Sequence, residues 1–184
     1  MATTKHILVA LVEDKPGVLN RMASLFRRRG FNIESIAVGH SETPHLSRMT
    51  FVVNGPATIV EQVRKQLDKV VETVKVSDLT GDQVITRELA FIKVKANSTN
   101  RSELIQIVDI FRANIVDVAP DSVIIEATGD EDKLNSLLDL VRGFGIKEIA
   151  RTGRIAMTRG GAGPLPVIKK PPKAEAKDKK KTTK

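Results

Sequence analysis

The sequence has no cysteine, tryptophan or tyrosine, and it contains only six phenylalanines. The absence of cysteine excludes disulfide bridges, thiol nucleophiles and thiolate metal ligands. No apolar run reaches the roughly 18 residues of a membrane-spanning helix, so no membrane protein is predicted. The first residues also lack the apolar region and cleavage site of a secretory signal. We therefore expect a cytoplasmic protein.

Excess acid is absent as well, since the net charge is +8, but this charge is unevenly distributed. Eight lysines and only two acids lie in residues 169–184, so the preceding part of the chain is nearly neutral. Such a composition cannot bury enough apolar surface to fold, and we predict a disordered lysine-rich tail over residues 160–184. A weak electrostatic contact of this tail with a nucleic acid or an acidic partner is the alternative. No specific nucleic-acid binding is predicted.

The apolar periodicity predicts one βαββαβ unit written twice. Strands of the first unit are predicted at residues 6–12, 32–38, 48–53 and 72–76, and those of the second at 89–96, 115–118, 123–128 and 146–150. Amphipathic helices separate them, and Asn100 with Glu103 is predicted to cap the first helix of the second unit. The fold class is therefore α+β: two tandem ferredoxin-like domains, each an antiparallel sheet with both helices on one face.

The predicted boundaries are residues 1–78 for the first domain, 79–86 for a linker and 87–159 for the second domain. Each unit of about 70 residues is small enough to be marginally stable alone. Its open sheet face and edge strands favour pairing with a neighbouring unit or chain.

Signatures of catalysis are missing, because the sequence has no nucleophile elbow, no P-loop and no dinucleotide-binding glycine motif. We predict no catalytic and no cofactor-binding residues. His40, Glu42 and His45 share one loop and were considered as metal ligands, but Pro44 prevents a helix from aligning them. A solvated loop without metal is predicted there.

RNA-binding domains share this topology and stack bases on two or three aromatic side chains of the central strands. The corresponding strands here offer one aromatic residue, Phe51. An RNA-binding protein therefore remains only as an alternative structural interpretation.

One turn, Asp14-Lys15-Pro16-Gly17, joins the first strand to the first helix. N–H groups at a helix N-terminus suit a carboxylate, and Gly17 permits close approach to the backbone. Asp14 and the amide of Asn32 offer acceptors for an ammonium group, and Ile33 offers an apolar wall. These residues fit a receptor for a free α-amino acid. They fit equally well a tight turn and a strand entry without a ligand.

Residues 12–19, 25–35 and 47–50 resemble the regulatory small subunit of acetohydroxyacid synthase (acetolactate synthase). The blocks Gly-Phe-Asn-Ile-Glu-Ser at 30–35 and Ser-Arg-Met-Thr at 47–50 are highly specific for that family. Similarity to the family's second half lies in residues 87–94, 111–118 and 150–154. The resemblance covers residues 5 to about 159. Asp14 stands where many members have asparagine, so it keeps an acceptor and loses an amide donor.

The resemblance implies that the first unit is an ACT domain and that the chain is a non-catalytic regulator of branched-chain amino acid biosynthesis. It implies valine as the feedback inhibitor, bound where two ACT domains of a homodimer meet, with Asp14, Gly17, Asn32 and Ile33 as contacts. It further implies a separate catalytic large subunit, which the chain activates. Thiamine diphosphate, Mg²⁺ and FAD belong to that partner, and none of them to this chain. A free-standing ACT-type amino-acid sensor, not bound to the synthase, is the alternative.

Overall fold

The computed structural model describes residues 4–160, which form two units of the same design. The first unit consists of β1 (Thr4–Glu13), α1 (Val18–Arg28), β2 (Ile33–His40), β3 (Leu46–Gly55), α2 (Ala57–Asp68) and β4 (Thr73–Asp78). The second consists of β5 (Val84–Lys95), α3 (Arg101–Ile110), β6 (Asn114–Ala119), β7 (Ser122–Gly129), α4 (Glu131–Val141), a 3₁₀ turn (Arg142–Phe144), β8 (Ile146–Arg151) and β9 (Ile155–Thr158). The predicted tail, apart from Gly160, lies outside the described residues.

Both sheets have the strand order of a ferredoxin-like fold. It is β2-β3-β1-β4 in the first unit and β6-β7-β5-β8 in the second, and every pairing is antiparallel. The helices of each unit pack on one face of its sheet through a single apolar cluster. The predicted fold class is therefore confirmed.

The first core shows how strand alternation separates the two faces of the sheet. Leu8, Ala10 and Val12 point towards the helices and are buried in the main cluster. Phe51 lies on the same face, fully buried, with its ring stacked on Phe26 at a centroid distance of 5.2 Å. The one aromatic residue considered for base stacking is therefore under a helix, which removes the structural basis of the RNA-binding interpretation.

The other face of the first sheet is covered by a segment that the sequence did not reveal as a strand. β9 pairs with residues 84–87 of β5, and its Ala156 packs with Val9 and Leu79 on this face. β5 consequently begins at Val84, so its first three residues lie in the segment 79–86 that was predicted as a linker. The reason is that Val84, Ile85 and Thr86 have high strand propensity and find a partner strand in β9.

The connection from β8 to β9 lies directly against β2. A Cβ atom on Gly153 would stand 1.8 Å from the carbonyl oxygen of Ile36, so only glycine fits there. The next residue, Arg154, donates its backbone N–H to the Ser35 hydroxyl at 2.8 Å. Its guanidinium pairs with Glu131 at 2.7 Å and is 11% exposed. The two units are thus joined through the first half of β2.

A lysine of the first unit completes this junction. Lys5 Nζ lies 2.5 Å from Glu34 and 2.6 Å from Glu131, one carboxylate from each unit. These contacts raise the pKa of Lys5, chiefly through the hydrogen bond to Glu131. The same hydrogen bond from Lys5 is the largest cause that lowers the pKa of Glu131, and Arg154 adds to it.

Candidate functional site

The turn between β1 and α1 is held by backbone hydrogen bonds to two neighbouring segments. The N–H of Glu13 donates to the carbonyl of Glu72 at 2.9 Å, and the N–H of Asp14 donates to that of His45 at 2.8 Å. Gly17 follows with φ +86°, a left-handed conformation that glycine adopts without a Cβ penalty. An added Cβ would meet no atom within 4 Å, so the space beside Gly17 is open. The turn is therefore rigid in its backbone and accessible at its glycine.

The N-terminus of α1 has backbone N–H groups that are not hydrogen-bonded within the helix. The first helical hydrogen bond runs from the N–H of Arg21 to the carbonyl of Gly17 at 3.0 Å. No side chain caps the helix, and its first turn contains no acidic residue. The N–H groups of Leu19 and Asn20 therefore have no acceptor within the helix. Together with the helix dipole, they give this end of α1 a positive potential that suits a carboxylate.

Asp14 is placed beside this positive end with its carboxylate accessible. Its side chain is 47% exposed, and one oxygen lies 3.3 Å from His40 Nδ1 at the end of β2. The neighbouring ammonium of Lys15 is engaged elsewhere, at 2.8 Å from Glu13, and this contact raises the pKa of Lys15. Asp14 can thus accept a hydrogen bond from an ammonium group next to donors that suit a carboxylate.

His40 belongs to this site, although sequence reasoning assigned it to a solvated loop. Only the sheet topology reveals this contact, because β2 and β1 end at the same end of the sheet.

Within residues 4–160, no group of three or more histidine and acidic side chains is arranged to hold a metal ion. Nor is any helix of those residues long and apolar enough to cross a membrane.

Asn32 and Ile33 lie at the opposite end of the same sheet. β3 pairs with both β1 and β2, with Leu46 beside Glu13 at one end and Val53 beside Ile33 at the other. These two positions of β3 are seven residue steps apart, or roughly 23 Å at about 3.3 Å per residue. Asn32 is exposed, and Ile33 packs partly buried against the first core. One chain therefore brings Asp14 and Gly17 together but does not bring them to Asn32 and Ile33.

The equivalent turn of the second unit is closed by its own side chains. Asn97 Oδ1 accepts hydrogen bonds from the N–H groups of Thr99 and Asn100 at 3.0 and 3.1 Å. Asn100 Oδ1 in turn accepts from the N–H of Asn97 at 2.7 Å. The predicted capping of α3 by the Asn100 side chain is wrong in this respect, because that oxygen is used by Asn97. The turn before α3 is thus held by its own side chains, and the first turn of α3 also contains an acidic residue, Glu103.

The described residues thus form a tandem pair of ferredoxin-like domains, with an accessible β–α turn in the first. Two family models match the chain in agreement with this description. Residues 8–75 match the ACT domain of the acetohydroxyacid synthase small subunit type, and residues 87–160 match the small subunit of acetolactate synthase.

Relatives of known name agree over nearly their whole length. A protein named "probable acetolactate synthase small subunit" from Archaeoglobus fulgidus is 58% identical over 156 residues, which are 85% of this chain and 98% of that protein. The acetolactate synthase small subunit of Mycobacterium bovis is 49% identical over 163 residues, covering 89% and 97% of the two chains. The chain belongs to the acetolactate synthase small-subunit family.

A solved structure supports the same assignment. The crystal structure of the acetolactate synthase small subunit from Thermotoga maritima superimposes with a TM-score of 0.80 at 44% sequence identity. It covers 86% of this chain and 99% of the Thermotoga chain. The likeness therefore extends over both units and the connection between them.

Proposed function

We propose that this chain activates a catalytic large subunit of acetolactate synthase and makes it sensitive to inhibition by valine. The observation that carries the proposal is the open N-terminus of α1 at Gly17 in a member of this family. The donors there fit the carboxylate of a free amino acid, and Asp14 beside them fits its ammonium group. Catalysis, with thiamine diphosphate, Mg²⁺ and FAD, would belong to the large subunit.

A homodimer would complete the site. β2 is an edge strand of the first sheet, and an edge strand presents unpaired N–H and C=O groups. If two copies pair through β2 about a two-fold axis, the strands run antiparallel. The entry of β2 in one copy, with Asn32 and Ile33, then comes beside the end of β2 in the other copy. That end lies next to Asp14 and Gly17.

Each of the four residues has a separate role in this arrangement. Gly17 leaves room for the amino-acid carboxylate at the helix N-terminus, and Asp14 accepts a hydrogen bond from the ammonium group. Asn32 of the second copy adds an amide, and Ile33 adds an apolar contact for the isopropyl group. Because valine would touch both copies, it would stabilise one dimer geometry over others in proportion to its difference in affinity between them.

Reconstitution with a purified acetolactate synthase large subunit tests the proposal. The chain alone should show no synthase activity, should raise the activity of the large subunit, and should make the mixture sensitive to valine. An unchanged rate with added chain would contradict the activation. A free-standing sensor would instead bind valine in calorimetry and fail to co-purify with the large subunit.

A further inference from the structure

A cavity of about 390 Å³ lies between the first sheet, on its face opposite the helices, and the strand pair β5–β9. His40, which contacts Asp14 beside the β1–α1 turn, is among its lining residues, and most of the other wall residues are apolar. They include Val38, Ile85, Ile155 and Met157, all of them large side chains with at least 41% exposure. A cavity of this size and apolar character is typical of small-molecule sites.

One polar side chain on the wall of this cavity, Arg48, has a position that the packing of the fold does not explain. It belongs to the Ser-Arg-Met-Thr block of β3 and lies half-buried on the face opposite the helices. Its guanidinium donates to the carbonyl of Ala156 at 2.8 Å. Among residues 4–160, no carboxylate lies within ion-pair distance of it, and Glu42 acts on it only at longer range. Burial lowers the pKa of Arg48, in keeping with a cation that has lost water without gaining an anion.

The remaining wall residues add positive charge and no negative charge. Arg87 also lines the cavity and donates to the carbonyl of Thr86 at 2.7 Å. No aspartate or glutamate is among the lining residues of this cavity. A bound anion would therefore be favoured, and an ammonium group would be buried without a carboxylate to pair with it.

We propose that this cavity binds a small aliphatic carboxylate without an amino group, with the carboxylate on Arg48 and the hydrocarbon part against Val38, Ile85 and Met157. A guanidinium and a carboxylate form two parallel hydrogen bonds, and the apolar walls cover an aliphatic body. The proposed ligand class differs from that of the turn site, because a cavity lined by two arginines and by no carboxylate disfavours the ammonium group of an α-amino acid.

Gly39 offers a way to fill the cavity without disturbing the fold. It pairs with Arg48 across β2 and β3, so a side chain there would point to the same face. An added Cβ would meet no atom within 4 Å, and the backbone of Gly39 is not in the left-handed region. Gly39→Leu therefore places a leucine in the cavity at little cost in strain.

Calorimetric titration of the full-length chain with 4-methylpentanoate tests the proposal. We expect saturable binding that Arg48→Met and Gly39→Leu each weaken at least about tenfold, because the first removes the hydrogen bonds to the carboxylate and the second fills the cavity. Arg28→Met, at an exposed arginine at the end of α1, is the matched control and should bind like the wild type. Circular dichroism checks that each variant is folded.

Two comparison ligands define what would overturn the proposal. Leucine and 4-methylpentan-1-ol have the same branched hydrocarbon end, but one adds an ammonium group and the other lacks the carboxylate. Both should bind at least about tenfold more weakly than the acid. Absence of binding by the acid at millimolar concentration, equal binding by the alcohol, or unchanged binding in Arg48→Met would each contradict the proposal.

Discussion

The two β–α turns of this chain hold the same place in the same fold and differ in how their N–H groups are satisfied. In the first unit, Gly17 takes a left-handed conformation and the first turn of α1 contains no acidic residue, whereas that of α3 contains Glu103. In the second unit, the side-chain oxygens of Asn97 and Asn100 accept hydrogen bonds from backbone N–H groups of the turn itself. The difference indicates that the fold alone does not make a ligand site. We expect a turn to become one where its donors are left for a ligand, as we propose for the first unit.

Closing the open turn should have the largest effect. In Gly17→Asp the carboxylate would occupy the N-terminus of α1 and repel the carboxylate of valine, and the positive φ would add strain of about 1 kcal/mol. We expect the half-inhibitory concentration of valine to rise about 30-fold or more, while activation of the large subunit persists. Synthase assays with increasing valine measure both quantities.

Gly160 provides the matched control, because it also has a positive φ and open space for a Cβ. Gly160→Asp introduces the same residue in the same type of backbone, away from the turn. An equal loss of valine response in Gly160→Asp would mean that charge or strain in general, rather than the turn, is responsible.

The junction between the units is the next target, since β5 and β9 cover the face of the first sheet opposite its helices, while the second sheet has no comparable cover among residues 4–160. Gly153→Ala places a methyl group 1.8 Å from the carbonyl oxygen of Ile36. We expect the free energy of unfolding to fall by about 2–3 kcal/mol, as in other overpacked sites. Urea denaturation measures this change, and protease cleavage between residues 152 and 158 should become faster.

Gly143→Ala is the control for this substitution, because an added Cβ at Gly143 meets no atom within 4 Å and its backbone is not left-handed. A loss of stability in Gly143→Ala as large as in Gly153→Ala would contradict the close contact with β2.

Opening the closed turn sharpens the comparison from the other side. Asn97→Ala removes the acceptor of the Thr99 and Asn100 N–H groups and should cost about 1–2 kcal/mol of stability. The valine response should stay unchanged, because the second unit has no part in the site. Asn97→Asp keeps an acceptor oxygen and should lose less stability. A shifted valine response in Asn97→Ala would place the second turn in the effector site.

The smallest expected effect concerns the ion pairs of Lys5 and Arg154 with Glu131. The folded-state pKa of Glu131 lies below its ordinary value of 4.5, so its stabilising contribution is present above that pH and is lost as the pH falls below it. Glu131→Gln should therefore lose up to about 1 kcal/mol at neutral pH and match the wild type at low pH. Urea denaturation at several pH values checks this. Asp132→Asn, at an exposed neighbouring acid, should follow the wild type throughout.

Much of this arrangement was readable in the sequence, for local reasons. The strands are short, β-branched and separated by Gly, Pro and Asn, so their order and the ferredoxin-like class followed from periodicity. Gly17 was recognisable because a glycine after Lys15-Pro16 at a strand end marks a turn before a helix. The domain boundaries and the four effector contacts stay predictions.

The features that the sequence did not reveal depend on contacts distant in the chain. β9 is only four residues long, and it becomes a strand because residues 84–87 and the face around Val9 accept it. The hydrogen bonds that close the second turn depend on the directions of the Asn97 and Asn100 side chains, which the sequence pattern does not give. The separation of Asp14 from Asn32 follows from the register of β1, β2 and β3, which no local pattern encodes.

Backbone amide shifts of the isotopically labelled full-length chain, followed by NMR during a valine titration, test the central claim most directly. The account predicts saturable shifts at residues 14, 15 and 17–20 of the open turn and at Asn32 and Ile33, with no change at residues 97–101. Shifts confined to the second turn, or a spectrum indifferent to saturating valine, would contradict it.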